Sequence, residues 1–409
     1  MTRTTILCLF SLASALAGAQ VDLNKPILLT APDAAGSSLP QAREVVQLAA
    51  QHGYNGISLG IGMARMTNPD NADLSGVRTV TRDAMQAGLK YVCWRLDVAV
   101  PNNQLWADEF NGGSIWPVGA RPPQGAWEKI AAIWQSARDI SAEEVTAAGK
   151  DPSKALIFVL GNEPGIGGVG GPSLGPWSYS GFYYNLFQAT SDPTWFQMAF
   201  PADLTGAPEG YIEPGFWTML RALTANVRFN AKTYCVSFEG AESSLAGQVS
   251  SVTGPDAAWL YANTDGYALN IFSTNARKLF DSVTGTVTRA TLTPAQGALA
   301  FKARLDKLLA VVKSNPILAN EKVVLTEFNA SAGRIPDFAD AFLYREEMLK
   351  QVMSHPGLDG SMIYSAYATD PTTASLQLFN RTLVNGSLTI TPVGSYAVGP
   401  NNLGRLPSR

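Results

Sequence analysis

Two glutamates stand where apolar runs end, and their type and placement point to acid–base chemistry. Glu163 follows the run ALIFVLGN, and Glu327 follows KVVLT. Paired carboxyl groups can break a glycosidic bond, because a protonated one donates to the leaving oxygen while an ionised one attacks the anomeric carbon. A separation of about 5 Å gives retention through a covalent intermediate, and about 6.5–9.5 Å gives inversion. We therefore predict that Glu163 and Glu327 are catalytic. The alternative for either glutamate alone is a solvated or salt-bridged residue.

Short apolar runs alternate with longer amphipathic ones, and this alternation predicts the elements that position both glutamates. The runs are continuously apolar, which is typical of a parallel sheet covered on both faces. The simplest closure is a single-domain α/β fold, a (β/α)8 or TIM barrel; an open doubly wound sheet is the alternative. The fourth and seventh strands would then bring Glu163 and Glu327 together at the C-terminal mouth. The predicted strands are 25–30, 56–62, 89–98, 155–160, 233–240, 266–273, 322–326 and 360–367, and the main predicted helices are 38–52, 77–88, 127–148, 216–230, 301–313 and 338–353.

The two ends of the chain and one long connection carry further predictions. Residues 1–19 combine Arg3, an apolar run and Ala17-Gly18-Ala19, a pattern that predicts an export signal, so residues 20–409 form the barrel domain and the protein is secreted, extracellular or periplasmic. A buried N-terminal helix is the alternative. The connection 165–215 is rich in aromatic residues, and we expect Trp177 to stack on a sugar face. The tail is expected to hold a strand pair near 376–379 and 388–390.

Composition excludes several classes of function. The formal net charge of −3 offers no basic field for nucleic acid, and after the signal no apolar run reaches the length of a membrane helix. Two histidines, His52 and His355, give little support to a metal site or a Ser-His-Asp triad. We therefore expect no metal or organic cofactor and a chemistry based on carboxylates. Cys93 and Cys235 fall in predicted strands as core residues, with a disulfide as the alternative.

Two short motifs resemble those of clan A glycoside hydrolases, a superfamily of retaining glycosidases on (β/α)8 barrels. The motifs are Gly161-Asn162-Glu163-Pro164 after the fourth strand and Thr326-Glu327-Phe328-Asn329 after the seventh. The resemblance implies that Glu163 is the acid/base and Glu327 the nucleophile. It also implies that Asn162 binds the sugar 2-hydroxyl. The family within the clan is left unassigned.

The sixth and eighth strands depart from the clan's pattern. Asn270 and Phe272 stand about where members often carry a His and a Tyr, and Tyr364 or Tyr367 stands where a Trp platform is common. We expect Asn270, Tyr364 and Tyr367 to contact substrate. These differences leave the identity of the sugar open.

Further candidates lie near other strand ends. Arg95 is expected to hold the nucleophile ionised, because a neighbouring cation favours the charged form; pairing with Asp97 is the alternative. Glu239 is expected to bind a sugar hydroxyl or to form a structural ion pair, and Asn329 belongs to the substrate-binding set.

The sequence thus predicts a secreted, retaining glycoside hydrolase that cleaves β-glycosidic bonds in a polysaccharide or oligosaccharide. Its partner is the carbohydrate substrate, not nucleic acid or membrane, and the oligomeric state is left open. The alternatives are a barrel that binds carbohydrate without cleaving it and a structural protein with a decayed barrel.

Overall fold

The structure is a computed structural model, and its description covers most of the chain between residues 22 and 392. The described residues are 22, 24–31, 39–61, 66, 68–96, 103–110, 112–114, 124–162, 210–212, 214–240, 242–272, 294–329, 338–364, 366, 379–384 and 387–392. The predicted export signal lies outside them.

Eight parallel strands form a closed barrel in chain order. The first strand pairs with both the second and the eighth, and this closure confirms the predicted (β/α)8 fold and excludes the open sheet. A two-stranded antiparallel sheet follows in the tail. The strands are β1 (Ile27–Thr30), β2 (Gly56–Ile61), β3 (Tyr91–Leu96), β4 (Leu156–Asn162), β5 (Lys232–Glu239), β6 (Gly266–Phe272), β7 (Lys322–Asn329), β8 (Gly360–Ile363), β9 (Phe379–Val384) and β10 (Ser387–Pro392).

Helices alternate with the barrel strands, as expected for parallel strands joined by crossovers. Asp151, the N-cap residue just before α5 (Pro152–Ala155), accepts from the backbone N–H of Ser153 at 2.9 Å. None of the described helices is long and apolar enough to span a bilayer. The helices are α1 (Leu39–Gln51), α2 (Ser75–Gln86), α3 (Gln104–Phe110), α4 (Gln124–Ala147), α5 (Pro152–Ala155), α6 (Pro214–Ala225), α7 (Glu242–Ser250), α8 (Gly254–Ala262), α9 (Pro294–Lys313) and α10 (Phe338–Met353).

The predicted ends of the seventh and eighth strands differ most from the structure. The seventh strand was expected to end at Thr326, but β7 continues to Asn329, so Glu327 lies inside it. Backbone pairing with β6 holds this extension, since Ile271 and Phe272 still pair with Phe328 and Asn329. The eighth strand was expected to reach 367, but β8 ends at Ile363.

The core has two layers separated by the barrel wall. Side chains from seven of the eight strands fill the interior, where they interdigitate as in other barrels of this kind. A larger cluster lies between the wall and the helices, and it includes Trp134, Trp217 and Phe301. The interior residues are Leu28, Cys93, Ile157, Val159, Tyr234, Ala268, Val324 and Met362.

The N-terminal end of the barrel is closed by a polar cluster. The hydroxyl of Tyr234 donates to Asp359, and Lys232 Nζ lies 3.2 Å from the same carboxylate. Burial alone would raise the pKa of Asp359, but the Tyr234 hydrogen bond and the Lys232 charge hold it below its usual value. A barrel closed at this end positions its functional side chains at the opposite, C-terminal end.

Candidate active site

Polar side chains from five consecutive strands converge at the C-terminal end of the barrel. Four of them come from positions named in the sequence analysis: Arg95 on β3, Asn162 on β4, Asn270 on β6 and Glu327 on β7. Ser237 of β5 and Thr326 of β7 join them through hydrogen bonds. This convergence places the candidate chemistry where parallel barrels build their sites.

A β-bulge in β7 aims two consecutive side chains toward the barrel interior. Leu269 and Asn270 are adjacent in β6, but their partners Leu325 and Glu327 are two residues apart in β7. The pairing with β8 shows the same extra residue, since Leu325 and Phe328 face Ser361 and Ile363. In a regular strand Thr326 and Glu327 would point to opposite faces. The bulge lets both contribute to the mouth, a common use of bulges near functional sites.

Arg95 and Glu327 form a buried ion pair across the mouth. The Arg95 Nη1 atom lies 2.5 Å from Glu327 Oε1, and the two side chains are only 13% and 12% exposed. Because β3 and β7 lie on different sides of the ring, the pair bridges the barrel. The positive charge stabilises the carboxylate form of Glu327. The structure has the contact of Arg95 with Glu327, and the alternative partner Asp97 lies outside the described residues.

An amide and two hydroxyls form a buried network beside this pair. Asn270 Oδ1 accepts from Ser237 Oγ and from Thr326 Oγ1, each at 2.7 Å. Asn270 Nδ2 donates to Asn162 Oδ1 at 3.0 Å. Asn270, Ser237 and Thr326 are buried, whereas Asn162 is exposed at the end of β4. The network therefore connects the barrel interior to the mouth.

The backbone beneath Asn162 is left-handed in two adjacent strands. Gly161 of β4 has φ +74°, and Val236 of β5 has φ +51°. Their neighbours pair directly, since Leu160 faces Cys235 and Asn162 faces Ser237. A β-branched residue at positive φ is a true outlier, and such residues concentrate where structure serves function. These two positions set the direction in which Asn162 and Ser237 leave their strands.

Glu239 lies half-buried at the end of β5 and is held by helix α7. Ser244 Oγ donates to Glu239 Oε2 at 2.8 Å, and the backbone N–H of Glu239 donates to Gln248 Oε1 at 2.9 Å. In the described part of the chain its side-chain contact is therefore a hydroxyl, not the cation of a structural ion pair. Its predicted contact with a sugar stays a prediction.

Asn329 and Tyr364 contact each other at the C-terminal end of the barrel. Asn329 is buried, and its Nδ2 donates to the backbone oxygen of Tyr364 at 2.6 Å. This contact ties the end of β7 to the segment after β8. Three other predicted site residues, Glu163, Trp177 and Tyr367, lie outside the described residues.

Cysteine and histidine contribute no chemistry to the mouth in the described structure. Cys93 and Cys235 are buried and free, so they are core residues as predicted, without a disulfide. Burial raises the pKa of the Cys93 thiol to about 12, which keeps it protonated. His52 and His355 both follow a helix and precede a strand, at the N-terminal end of the barrel. Among the residues that can be placed, no three His, Cys, Asp or Glu side chains form a metal-binding group.

The site network contains residues that the sequence analysis missed. Ser237 was not singled out, and Thr326 was noted only as part of a motif. The available signal was Ser237 itself, a polar residue within the apolar run TYCVSFEG and two positions before Glu239. Residues two apart in a strand share a face, so Ser237 could have been placed with the site.

A comparison with solved structures finds a similar barrel in a glycosidase. The beta-glycosidase BGL167 matches with a TM-score of 0.50 and 14% identity, over 91% of this chain and 87% of that one. The chain has the barrel fold of this glycosidase. A GH5_18 protein from Streptomyces cattleya, solved in complex with Manb1-4GlcNAc, gives a TM-score of 0.49 and 13% identity, over 87% of this chain and 76% of that one. The Pseudomonas stutzeri endoglucanase Cel5A gives a TM-score of 0.47 and 12% identity, over 92% of this chain and 99% of that one.

The sequence comparisons add no family. No protein-family model matches the chain, and a comparison with curated proteins found no match. At identities of this size the structural likeness concerns the barrel fold alone.

Proposed function

We propose that this protein is a retaining glycoside hydrolase that cleaves β-glycosidic bonds of an oligosaccharide or polysaccharide. The observation that carries the proposal is the ion pair of Arg95 and Glu327 at the C-terminal mouth, beside the exposed amide of Asn162. A buried glutamate kept ionised by a guanidinium, at the end of the barrel where active sites form, has the properties of a glycosidase nucleophile.

Glu327 is the proposed nucleophile. Its carboxylate attacks the anomeric carbon and forms a covalent glycosyl-enzyme, and the departing oxygen takes a proton from the acid/base residue. Arg95 favours the charged carboxylate, which is the form that attacks. The bulge at Thr326 sets the direction of the Glu327 side chain, because it turns that side chain toward the barrel interior.

Glu163 is the proposed acid/base residue. It follows Asn162 directly in the chain, at the end of β4. In the first step it protonates the leaving oxygen, and in the second it takes a proton from the water that releases the sugar. Asn162 is proposed to bind the 2-hydroxyl of the sugar, whose hydrogen bonds strengthen in the transition state. No metal or organic cofactor takes part in this scheme.

The proposal includes secretion, with residues 1–19 acting as an export signal. The support is the sequence pattern of a positive residue, an apolar run and small residues at 17 and 19. Expression with the complete chain, followed by N-terminal sequencing of the exported protein, should give a chain that begins at Gln20. A chain that stays inside the cell with its first residues intact would refute this part.

The catalytic roles are tested with aryl β-glycosides of different leaving groups. We expect Glu327→Ala to abolish turnover, and Glu163→Ala to slow substrates with poor leaving groups most, since good leaving groups need no proton. Azide should partly restore the Glu163→Ala variant with a β-glycosyl azide as product. A matched control is Glu143→Gln, because Glu143 is 62% exposed on the outer helix α4.

A binding-only barrel is the alternative, and a mechanism-based label separates the two. A 2-deoxy-2-fluoro glycoside should form a stable adduct, and peptide mapping should find it on Glu327. Saccharide binding without adduct or turnover would favour the non-catalytic barrel. Wild-type rates in both the Glu327→Ala and Glu163→Ala variants would refute the assignment of these two residues.

A further inference from the structure

The amide oxygen of Asn270 faces two hydroxyls from neighbouring strands. Ser237 Oγ and Thr326 Oγ1 both lie 2.7 Å from Asn270 Oδ1, and the two hydroxyl oxygens are 2.5 Å apart. The two hydroxyls have two protons for these three contacts, so at least one of them donates to Oδ1 and the other can donate to its neighbouring hydroxyl. All three side chains are buried, which raises the cost of leaving any of them unpaired.

The backbone of Asn270 is fixed as firmly as its side chain. Its carbonyl oxygen accepts from the Gly240 N–H at 2.7 Å, and the Gly240 carbonyl in turn accepts from Arg304 Nη2 at 3.0 Å. A Cβ on Gly240 would lie 2.3 Å from the Asn270 oxygen, so this close approach requires glycine. Neither the main chain nor the amide of Asn270 can turn without breaking several contacts.

The orientation of Asn270 determines which polar atom Asn162 presents to a ligand. Since Asn270 Oδ1 faces the hydroxyls, its Nδ2 donates to Asn162 Oδ1 at 3.0 Å. The Asn162 oxygen therefore accepts from Asn270, and Asn162 Nδ2 is the atom that can donate to a ligand on the exposed side. A reversed Asn270 would require a reversed Asn162, which would offer an acceptor in place of a donor.

We propose that Asn270 is a positioning residue that makes Asn162 a hydrogen-bond donor to the sugar 2-hydroxyl. Ser237 and Thr326 set the Asn270 amide, Asn270 sets the Asn162 amide, and Asn162 alone contacts the sugar. This inference rests on the proposed function, because it assigns a role within that site. It also differs from the sequence prediction that Asn270 contacts substrate itself.

The kinetic test uses neutral variants, which keep the charge beside Glu327 constant. We expect Asn270→Ala and Thr326→Val to lower kcat/KM about tenfold, the value of one hydrogen bond, while Thr326→Ser, which retains the hydroxyl, should lower it much less. The loss should vanish on the matching 2-deoxy glycoside and in the Asn162→Ala background. Equal losses on both glycosides, or losses that multiply in the double variant, would overturn the proposal.

A spectroscopic test separates this inference from the proposed function. In asparagine-labelled protein, the Asn162 side-chain amide signal is identified by its absence in Asn162→Ala. Asn270→Ala and Thr326→Val should shift that signal, and Thr326→Ser should not, whether or not the protein turns over a substrate. Shifts of the Asn162 signal in a protein without glycosidase activity would refute the proposed function and support the positioning role of Asn270. Turnover without any shift of the Asn162 signal would refute the positioning role of Asn270 and leave the proposed function standing. Thermal melting confirms that each variant is folded.

Discussion

The ion pair of Arg95 and Glu327 makes a prediction about stability that does not depend on any substrate. Arg95→Met keeps much of the apolar length of the side chain and removes its charge. Glu327, only 12% exposed on its side chain, then retains a carboxylate that has lost the guanidinium 2.5 Å away. A buried charge without its partner is strongly destabilising, because the desolvation cost remains while the attraction is gone.

The expected loss is several kcal/mol. For charge centres about 4 Å apart, Coulomb's law with an effective dielectric constant of about 20 gives about 4 kcal/mol. Breaking one side of a buried pair typically costs about 3–5 kcal/mol. We therefore expect Arg95→Met to lower the free energy of unfolding at neutral pH by about 3–4 kcal/mol. In the Glu327→Gln background no charge is stranded, and the same change should cost about 1 kcal/mol.

Urea denaturation at about pH 7 and about pH 4 measures both effects. Protonation of Glu327 at low pH removes the stranded charge, so the folded variant takes up a proton that the wild type does not. Its stability loss should therefore shrink as the pH falls. Arg95→Lys is the control, since it keeps the charge. A loss that is equal in both backgrounds and at both pH values would refute the electrostatic account and leave packing as the cause.

Two further predictions concern other parts of the fold. Burial raises the pKa of Glu346 to about 7, so the folded chain holds this proton more tightly than the unfolded chain, and stability should fall by up to about 3 kcal/mol between about pH 4.5 and pH 7. Glu346→Gln should remove that slope in urea denaturation, and an identical slope in the variant would contradict the assignment. Gly240→Ala should displace Asn270, since the new Cβ would lie 2.3 Å from its carbonyl oxygen. We expect a thermal midpoint clearly below that of the wild type, and an unchanged midpoint would count against it.

The barrel was predictable because its strands are continuously apolar. Each of the eight predicted runs corresponds to a strand, since a strand buried on both faces shows up as an unbroken run. The residues at which strands end were harder to predict from the sequence. The seventh run stops at Thr326 because the charged Glu327 interrupts it, yet backbone pairing continues to Asn329. Hydrogen bonding, which any residue can supply, extends β7 beyond its apolar signal.

The site residues near strand ends could be predicted from the sequence, but the hydrogen bonds among the site residues could not. Arg95 and Glu327 lie near the C-terminal ends of strands on different sides of the ring, so the fold alone suggests their proximity. The hydroxyls of Ser237 and Thr326 meet Asn270 only because β5 and β7 each carry an extra residue relative to β6. A one-residue change of register reverses the face of every later side chain, and no composition pattern marks such a bulge.

The departure of the sixth strand from the clan A pattern has a local physical explanation. The position that often holds a histidine in that clan holds Asn270 here, and its two neighbours are matched to an amide. One oxygen receives two hydroxyls, and one NH2 group donates to Asn162. An imidazole nitrogen has a single lone pair, whereas the amide oxygen has two to face the two hydroxyls. Asn270, Ser237 and Thr326 therefore form one set, and the unusual residue is accommodated by its neighbours within the site.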